Sequence, residues 1–126
     1  MRTPLDIAKA CYQAYVDKNR AAIEALLDDA YHFSSPLDNA LDRKTYFERC
    51  WPNSGQIAAF DYVYGFEDAN RAVVVYEART SSGKRFRNCE VHTVLGEKLV
   101  ATEVYFGWDL PHRATVGGFL ADNDKS

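Results

Sequence analysis

Four side chains of this sequence offer the most chemistry: Tyr15, Asp38, Glu90 and His92. Tyr15 falls on the apolar stripe of a helix, where a phenol must find a partner. It reads either as a hydrogen-bond donor to a ligand oxygen or as a core tyrosine bonded to backbone or water. Histidine is the side chain whose intrinsic pKa lies nearest working pH, so His92 can serve as acid, base or donor. Glu90, two residues earlier, shares its strand face. The other reading places both on the solvent face of a sheet, Glu90 paired with Arg or Lys. Asp38 sits in the loop Ser34-Ser35-Pro36-Leu37-Asp38-Asn39. It is a candidate proton carrier at a pocket mouth, although Asp and Asn in such loops commonly form turns. Phe33, Trp51, Phe106 and Trp108 are candidate pocket walls, and the alternative for each is a place in the core.

These groups must be positioned by the elements around them. Thr3, Pro4 and Asp6 form a helix start with a capping box, and Ile7, Ala10, Cys11, Ala14 and Tyr15 recur at helical spacing behind it. A second, shorter helix follows Asn19, turns Ile23, Leu26 and Leu27 inward and closes at Asp28 and Asp29. A short strand at Tyr31 to Ser35 precedes a third helix from Asp42, with Phe47, Cys50 and Trp51 inward. That helix ends where Pro52 disfavours the α conformation of its predecessor. From Gln56 the period changes to two. Strands are predicted at Gln56 to Glu67, Arg71 to Thr80, Lys84 to Leu95 and Lys98 to Phe106, joined by short turns. In the first of these, Phe60, Tyr62, Tyr64 and Phe66 share one face. Helices followed by an antiparallel meander is an α+β order.

A turn at Gly96-Glu97 bears on Glu90 and His92. A two-residue type II′ hairpin there sets Leu95 opposite Lys98 and Glu90 opposite Glu103, which turns Glu90 and His92 away from Thr102, Val104 and Phe106. A bulge would bring them back.

At 126 residues, 47% apolar and 26% charged, the composition is that of one globular domain. Eight Tyr, seven Phe and two Trp supply wide side chains for a core or an apolar pocket. The net charge of −3, with basic residues scattered apart from Lys84, Arg85 and Arg87, argues against nucleic acid. Cys11, Cys50 and Cys89 are odd in number and far apart, so they read as reduced, buried residues of a cytoplasmic protein. No membrane span, signal-peptide core, metal-ligand spacing or nucleotide fingerprint stands out, and neither a metal nor a cofactor is expected.

The order of elements resembles the nuclear transport factor 2-like superfamily, which includes the SnoaL-like polyketide cyclases and ketosteroid isomerase. Four places carry the resemblance: Met1, Thr3 and Pro4 with Tyr15-Val16; the run Phe47 to Ser54; the strand beginning at Gly83; and Phe106-Gly107 before a tail with His112. It implies a cone-shaped, curved antiparallel half-barrel over residues 1–120. Three N-terminal helices would pack on its concave face, and 121–126 would form a flexible tail. In ketosteroid isomerase a helix Tyr and a protonated Asp bind a dienolate oxygen, and a second Asp before a Pro moves the proton. By that resemblance Tyr15 matches the Tyr, and Ser35, before Pro36, takes the place of the base. His92 or Glu90 takes the place of the oxyanion Asp, depending on whether counting starts at Gly83 or at Phe106. The implied function is cofactor-free isomerisation, cyclisation or dehydration of a small apolar carbonyl compound. The alternative is a non-catalytic module for a small hydrophobic ligand or for dimerisation. A homodimer through the outer sheet face, rich in Val73, Val75 and Tyr76, is expected.

Overall fold

The computed structural model describes residues 2–121. Of the expected 121–126 tail, residues 122–126 lie outside the described residues. Helix α1 (Pro4–Asp17) starts as its capping box dictates. The Thr3 hydroxyl accepts from the Asp6 amide at 3.2 Å, and the Asp6 carboxylate accepts from the Thr3 amide at 3.1 Å. It stops at Lys18 in the left-handed region (φ 55°). Helix α2 (Arg20–Leu26), capped by Asn19, ends two residues before the predicted Asp28 and Asp29. Leu27 is already extended, and Asp28 closes a local turn by accepting from the Ala30 amide. Helix α3 (Arg43–Arg49) is capped by Asp42 and runs through Cys50 into a 3-10 turn, Trp51–Gln56.

Three helices accompany one six-stranded sheet, an α+β arrangement. The strands are β1 (Leu27–Ser35), β2 (Asp38–Asp42), β3 (Ile57–Asp68), β4 (Arg71–Thr80), β5 (Arg85–Leu95) and β6 (Lys98–Leu110), in the order β2-β1-β6-β5-β4-β3. The sheet is mixed rather than antiparallel, because β1 lies parallel to β6. This corrects the sequence expectation. Hairpin turns force β3 to β6 antiparallel, whereas more than sixty intervening residues free β1 from that constraint. Strand β2 was not foreseen. It folds back on β1 with Ser35 opposite Asp38 and Phe33 opposite Leu41, in what reads from sequence as a loop.

Two bulges decide which way side chains point. In β3 an extra residue at Val63 shifts the register between Tyr62, opposite Tyr76, and Tyr64, opposite Val75. Phe60 and Tyr62 therefore pack on Tyr12 of α1, while Tyr64 and Phe66 do not share their face. Gly65 takes the inward place, where an added Cβ would come within 3.2 Å of Leu5. In β6 an extra residue at Val100 shifts the pairing from Val94 opposite Leu99 to Thr93 opposite Ala101. The Gly96-Glu97 turn is two residues long as expected. Both residues have positive φ (58° and 65°), which is the type I′ pattern and not II′.

The apolar interior has two parts. One joins α1, α2 and α3 to β1 and β6 through Ile7, Ile23, Leu27, Tyr46 and Leu99. The other joins α1 to β4 through Ala8, Tyr12, Val74 and Tyr76.

Candidate active site

A cavity of about 430 Å³ draws its walls from both parts of the interior. That is within the range of small-molecule sites, ~300–1,000 Å³. Its wall is largely apolar, and its mouth is marked by the exposed Leu37 and Phe106.

Strand β5 supplies Glu90 and His92 to it. Because of the Val100 bulge, His92 stands opposite Thr102 and Glu90 opposite Val104, so both side chains line the cavity. The turn argument that sent them to the outer face fails by that one residue. The His92 side chain is 3% exposed and that of Glu90 13%. The imidazole Nδ1 shares a 2.9 Å hydrogen bond with the Thr102 hydroxyl, and Nε2 a 2.7 Å bond with the Tyr12 phenol. Glu90 Oε1 lies 3.3 Å from the same Nε2, and Glu90 Oε2 accepts from Tyr76 at 2.5 Å. A carboxylate largely withdrawn from water gains from such partners, because desolvating an unpaired charge is unfavourable. Burial first, and then the charge of Glu90, push the Tyr12 and Tyr76 phenols well above their ordinary range, so both remain donors throughout neutral pH.

A second pair of phenols belongs to α1 and α3. Tyr15 and Tyr46 are hydrogen-bonded hydroxyl to hydroxyl, and both line the cavity. Tyr31 packs edge-to-face on Tyr46 at 5.2 Å between ring centres. Burial raises all three phenols, most completely for Tyr31 and Tyr46. Tyr15 is thus a protonated hydroxyl at an apolar wall.

At the mouth, Asp38 accepts from the Ser35 hydroxyl at 2.8 Å and from Arg49 at 2.5 Å. Burial alone would raise this carboxyl. The bonds from Arg49 and Ser35, together with the guanidinium charge, outweigh it and hold the group below the ordinary carboxylate range.

Tyr15, Asp38, Glu90, His92, Phe33, Ser35, Val104 and Phe106 thus surround one cavity. Trp51 and Trp108 do not line it. Trp51 is buried edge-on against Tyr15, 4.9 Å between ring centres, because the 3-10 turn that follows Cys50 folds it inward behind the helix. Trp108 lies beyond the Gly107 irregularity of β6, half exposed, with Arg87 over its ring. Sequence reasoning missed Tyr12, Tyr46 and Tyr76. The sign of Tyr12 was Ala8 four residues before it, which widens the buried stripe of α1 by one column. Among the described residues, no group of three His, Cys, Asp or Glu side chains could hold a metal ion. No described helix is long and apolar enough to cross a membrane.

Neither a protein-family model nor a curated relative matches this sequence. Solved structures do. A nuclear transport factor 2-like protein of unknown function from Cytophaga hutchinsonii superposes with a TM-score of 0.67 at 19% identity, over 85% of this chain and 92% of that one. The chain has the nuclear transport factor 2-like fold. An LEH-like epoxide hydrolase from M. tuberculosis is similar at TM-score 0.70 and 14% identity, over 82% of each chain. A candidate ketosteroid isomerase from Kribbella flavida is similar at TM-score 0.70 and 10% identity, over 82% of this chain and 77% of that one. At these identities the likeness is one of fold. In nuclear transport factor 2-like terms, the polar groups of this chain are carried by the first helix, β4 and β5, with Thr102 of β6 behind them.

Proposed function

We propose that this protein is a cofactor-free acid–base enzyme that isomerises, cyclises or dehydrates a small apolar carbonyl compound. The observation that carries the reading is Glu90: a half-buried carboxylate on the wall of a largely apolar cavity, held by Tyr76 and flanked by His92, with Tyr15 on the wall of the same cavity. Glu90 takes a proton from the carbon next to the carbonyl. The electron pair moves onto the carbonyl oxygen, and Tyr15 stabilises the resulting enolate by hydrogen bonding, its own hydroxyl supported by Tyr46. The proton then returns from Glu90 to carbon. Poor solvation strengthens each of these interactions. Asp38 is the weaker candidate for the proton carrier because Arg49 neutralises it at the mouth. A structural neighbour named as a candidate ketosteroid isomerase and another named as an epoxide hydrolase support a reading in which this fold houses acid–base chemistry on apolar substrates.

The second reading is a non-catalytic pocket for a small hydrophobic molecule. Ser35 favours it, because it stands before Pro36 with its hydroxyl engaged by Asp38 and offers no base there. Proton exchange separates the two. The protein is incubated in heavy water with acetylnaphthalene and simple enones, and deuterium at the carbon next to the carbonyl is followed by NMR. The enzyme reading expects catalysed exchange that falls about 10²- to 10⁴-fold in Glu90→Gln and about 10²-fold in Tyr15→Phe. Binding without exchange supports the pocket reading.

A further inference from the structure

We infer that the ligand of this protein is longer than the main cavity, and that its apolar tail runs past Phe106 into a second chamber at the far end of β5 and β6. The inference rests on the reading of the main cavity as a site for apolar carbonyl compounds and specifies the shape of what enters it.

Phe86, Asn88 and Phe106 line both spaces. The second chamber, about 560 Å³, therefore adjoins the first across these three side chains. Its remaining wall is Gly107, Trp108 and Asp109 of β6, with His112, Arg113 and Leu120 from the segment that follows. Strand geometry makes the junction. Phe86 and Asn88 are two apart on β5, so they face the same side. An irregularity at Gly107 shifts the β6 register between Asn88 opposite Phe106 and Phe86 opposite Asp109. An added Cβ at Gly107 would meet the Arg87 carbonyl oxygen at 2.1 Å, so the strands come as close there as glycine permits. The Asn88 side-chain oxygen accepts from the Gly107 amide at 3.2 Å and fixes that approach.

The chamber wall is held in place while its faces stay open. The Trp108 ring has the Arg87 guanidinium 5.7 Å from its centre and the His112 ring 6.1 Å away, yet it is 49% exposed. Phe106, at the junction, is 53% exposed. Two large aromatic side chains left in water beside the opening of an apolar cavity are the surface that a ligand tail would cover. Acetylnaphthalene is matched to the main cavity alone, whereas a tail of several carbons must lie along Phe106 toward Trp108.

The test compares acetylnaphthalene carrying a methoxy group with the same compound carrying a hexyloxy group, titrated by calorimetry into the full chain. The tail is expected to tighten binding at least about tenfold, since each buried methylene can contribute up to roughly fourfold. Trp108→Ala and Leu120→Ala, which touch only the second chamber, should reduce that advantage to about threefold or less and leave the methoxy compound within about twofold of its original affinity. Circular dichroism checks that both variants fold. Equal affinities for the two probes, a length advantage that survives both substitutions, or no binding of either probe would overturn the inference. Because binding is read without turnover, the two readings fail separately: a length advantage without deuterium exchange removes the enzyme and keeps the chamber, and exchange without a length advantage does the reverse.

Discussion

Tyr76 and Glu90 are not register partners. Tyr76 faces Asn88 and Glu90 faces Val74, yet the Tyr76 hydroxyl reaches diagonally between β4 and β5 to donate a 2.5 Å bond to Glu90. A hydrogen bond to a half-buried carboxylate is among the stronger ones, and its loss leaves the acceptor short of a partner. Tyr76→Phe is therefore expected to lower stability by about 1–3 kcal/mol in urea denaturation, and Tyr76→Phe combined with Glu90→Gln by less than the sum of the two single changes. Additive effects would mean that the bond contributes little in solution.

That diagonal also shows where sequence reading stops. The starts of α1, α2 and α3 are legible because their cap residues are local chemistry: Thr3 with Asp6, Asn19 and Asp42 all cap as their types suggest. The four long strands are legible from their period and turns. Which face Glu90 and His92 occupy is not, because it depends on one extra residue at Val100. A bulge leaves no composition signal in a run of Leu, Val, Ala and Thr. The same applies to Val63, which separates Tyr64 and Phe66 from Tyr62. Tyr76, expected on the outer face with Val73 and Val75, is instead buried on the cavity side with Val74 and Ala78. The parallel pairing of β1 with β6 joins segments whose mutual affinity no local pattern encodes.

Gly107 is expected to resist substitution. Gly107→Ala places a methyl group where the Arg87 carbonyl stands, and the overpacking should lower stability by roughly 1–3 kcal/mol or more. Gly55→Ala, with nothing within 4 Å, is the matched control. Thermal unfolding of the two variants should separate clearly, and similar midpoints would contradict the close approach.

The mouth ion pair predicts an acid response. The Asp38 carboxyl is lowered in the folded state, so the stability it contributes is complete above its unfolded pKa, near 3.8, and is lost as pH falls through the lower folded value. Arg49→Met removes the ion pair and most of that dependence. Denaturation profiles should therefore converge for the two proteins below about pH 3 and separate above about pH 5. A constant offset at every pH would place the effect of Arg49 in packing.

The thiols should differ. Cys11 and Cys50 are buried, but Cys89 is only half-buried, contrary to the expectation of three buried residues. Burial raises all three thiols, Cys50 to about 11, and the Glu90 charge adds to the rise at Cys11 and Cys89. Native protein should therefore react slowly with a disulfide reagent at neutral pH, with Cys89 first when the protein is dilute enough to leave the sheet face uncovered. Unfolding should release three thiols. Cys89→Ser should remove the first phase, and its persistence would assign that phase elsewhere.

The outer face of the sheet predicts association. Gly65 and Val74 point toward α1, and strand alternation then sends Tyr64, Phe66, Val73 and Val75 to the opposite side, followed across the sheet by Cys89, Val91 and Tyr105. Tyr64, Phe66 and Tyr105 are 56%, 62% and 54% exposed, and the Tyr64 and Phe66 rings stack on each other. An apolar, aromatic patch of this extent on four neighbouring strands is unfavourable in water, and a second copy of the same face can cover it around a twofold axis. Such an interface needs about 800 Å² from each partner. Analytical ultracentrifugation should find a dimer at micromolar concentration. Val75→Glu and Val91→Lys, each placing a charge at the middle of the patch, should both give folded monomers. A monomeric wild-type protein at that concentration, or a dimer that survives both charges, would move the contact to another surface.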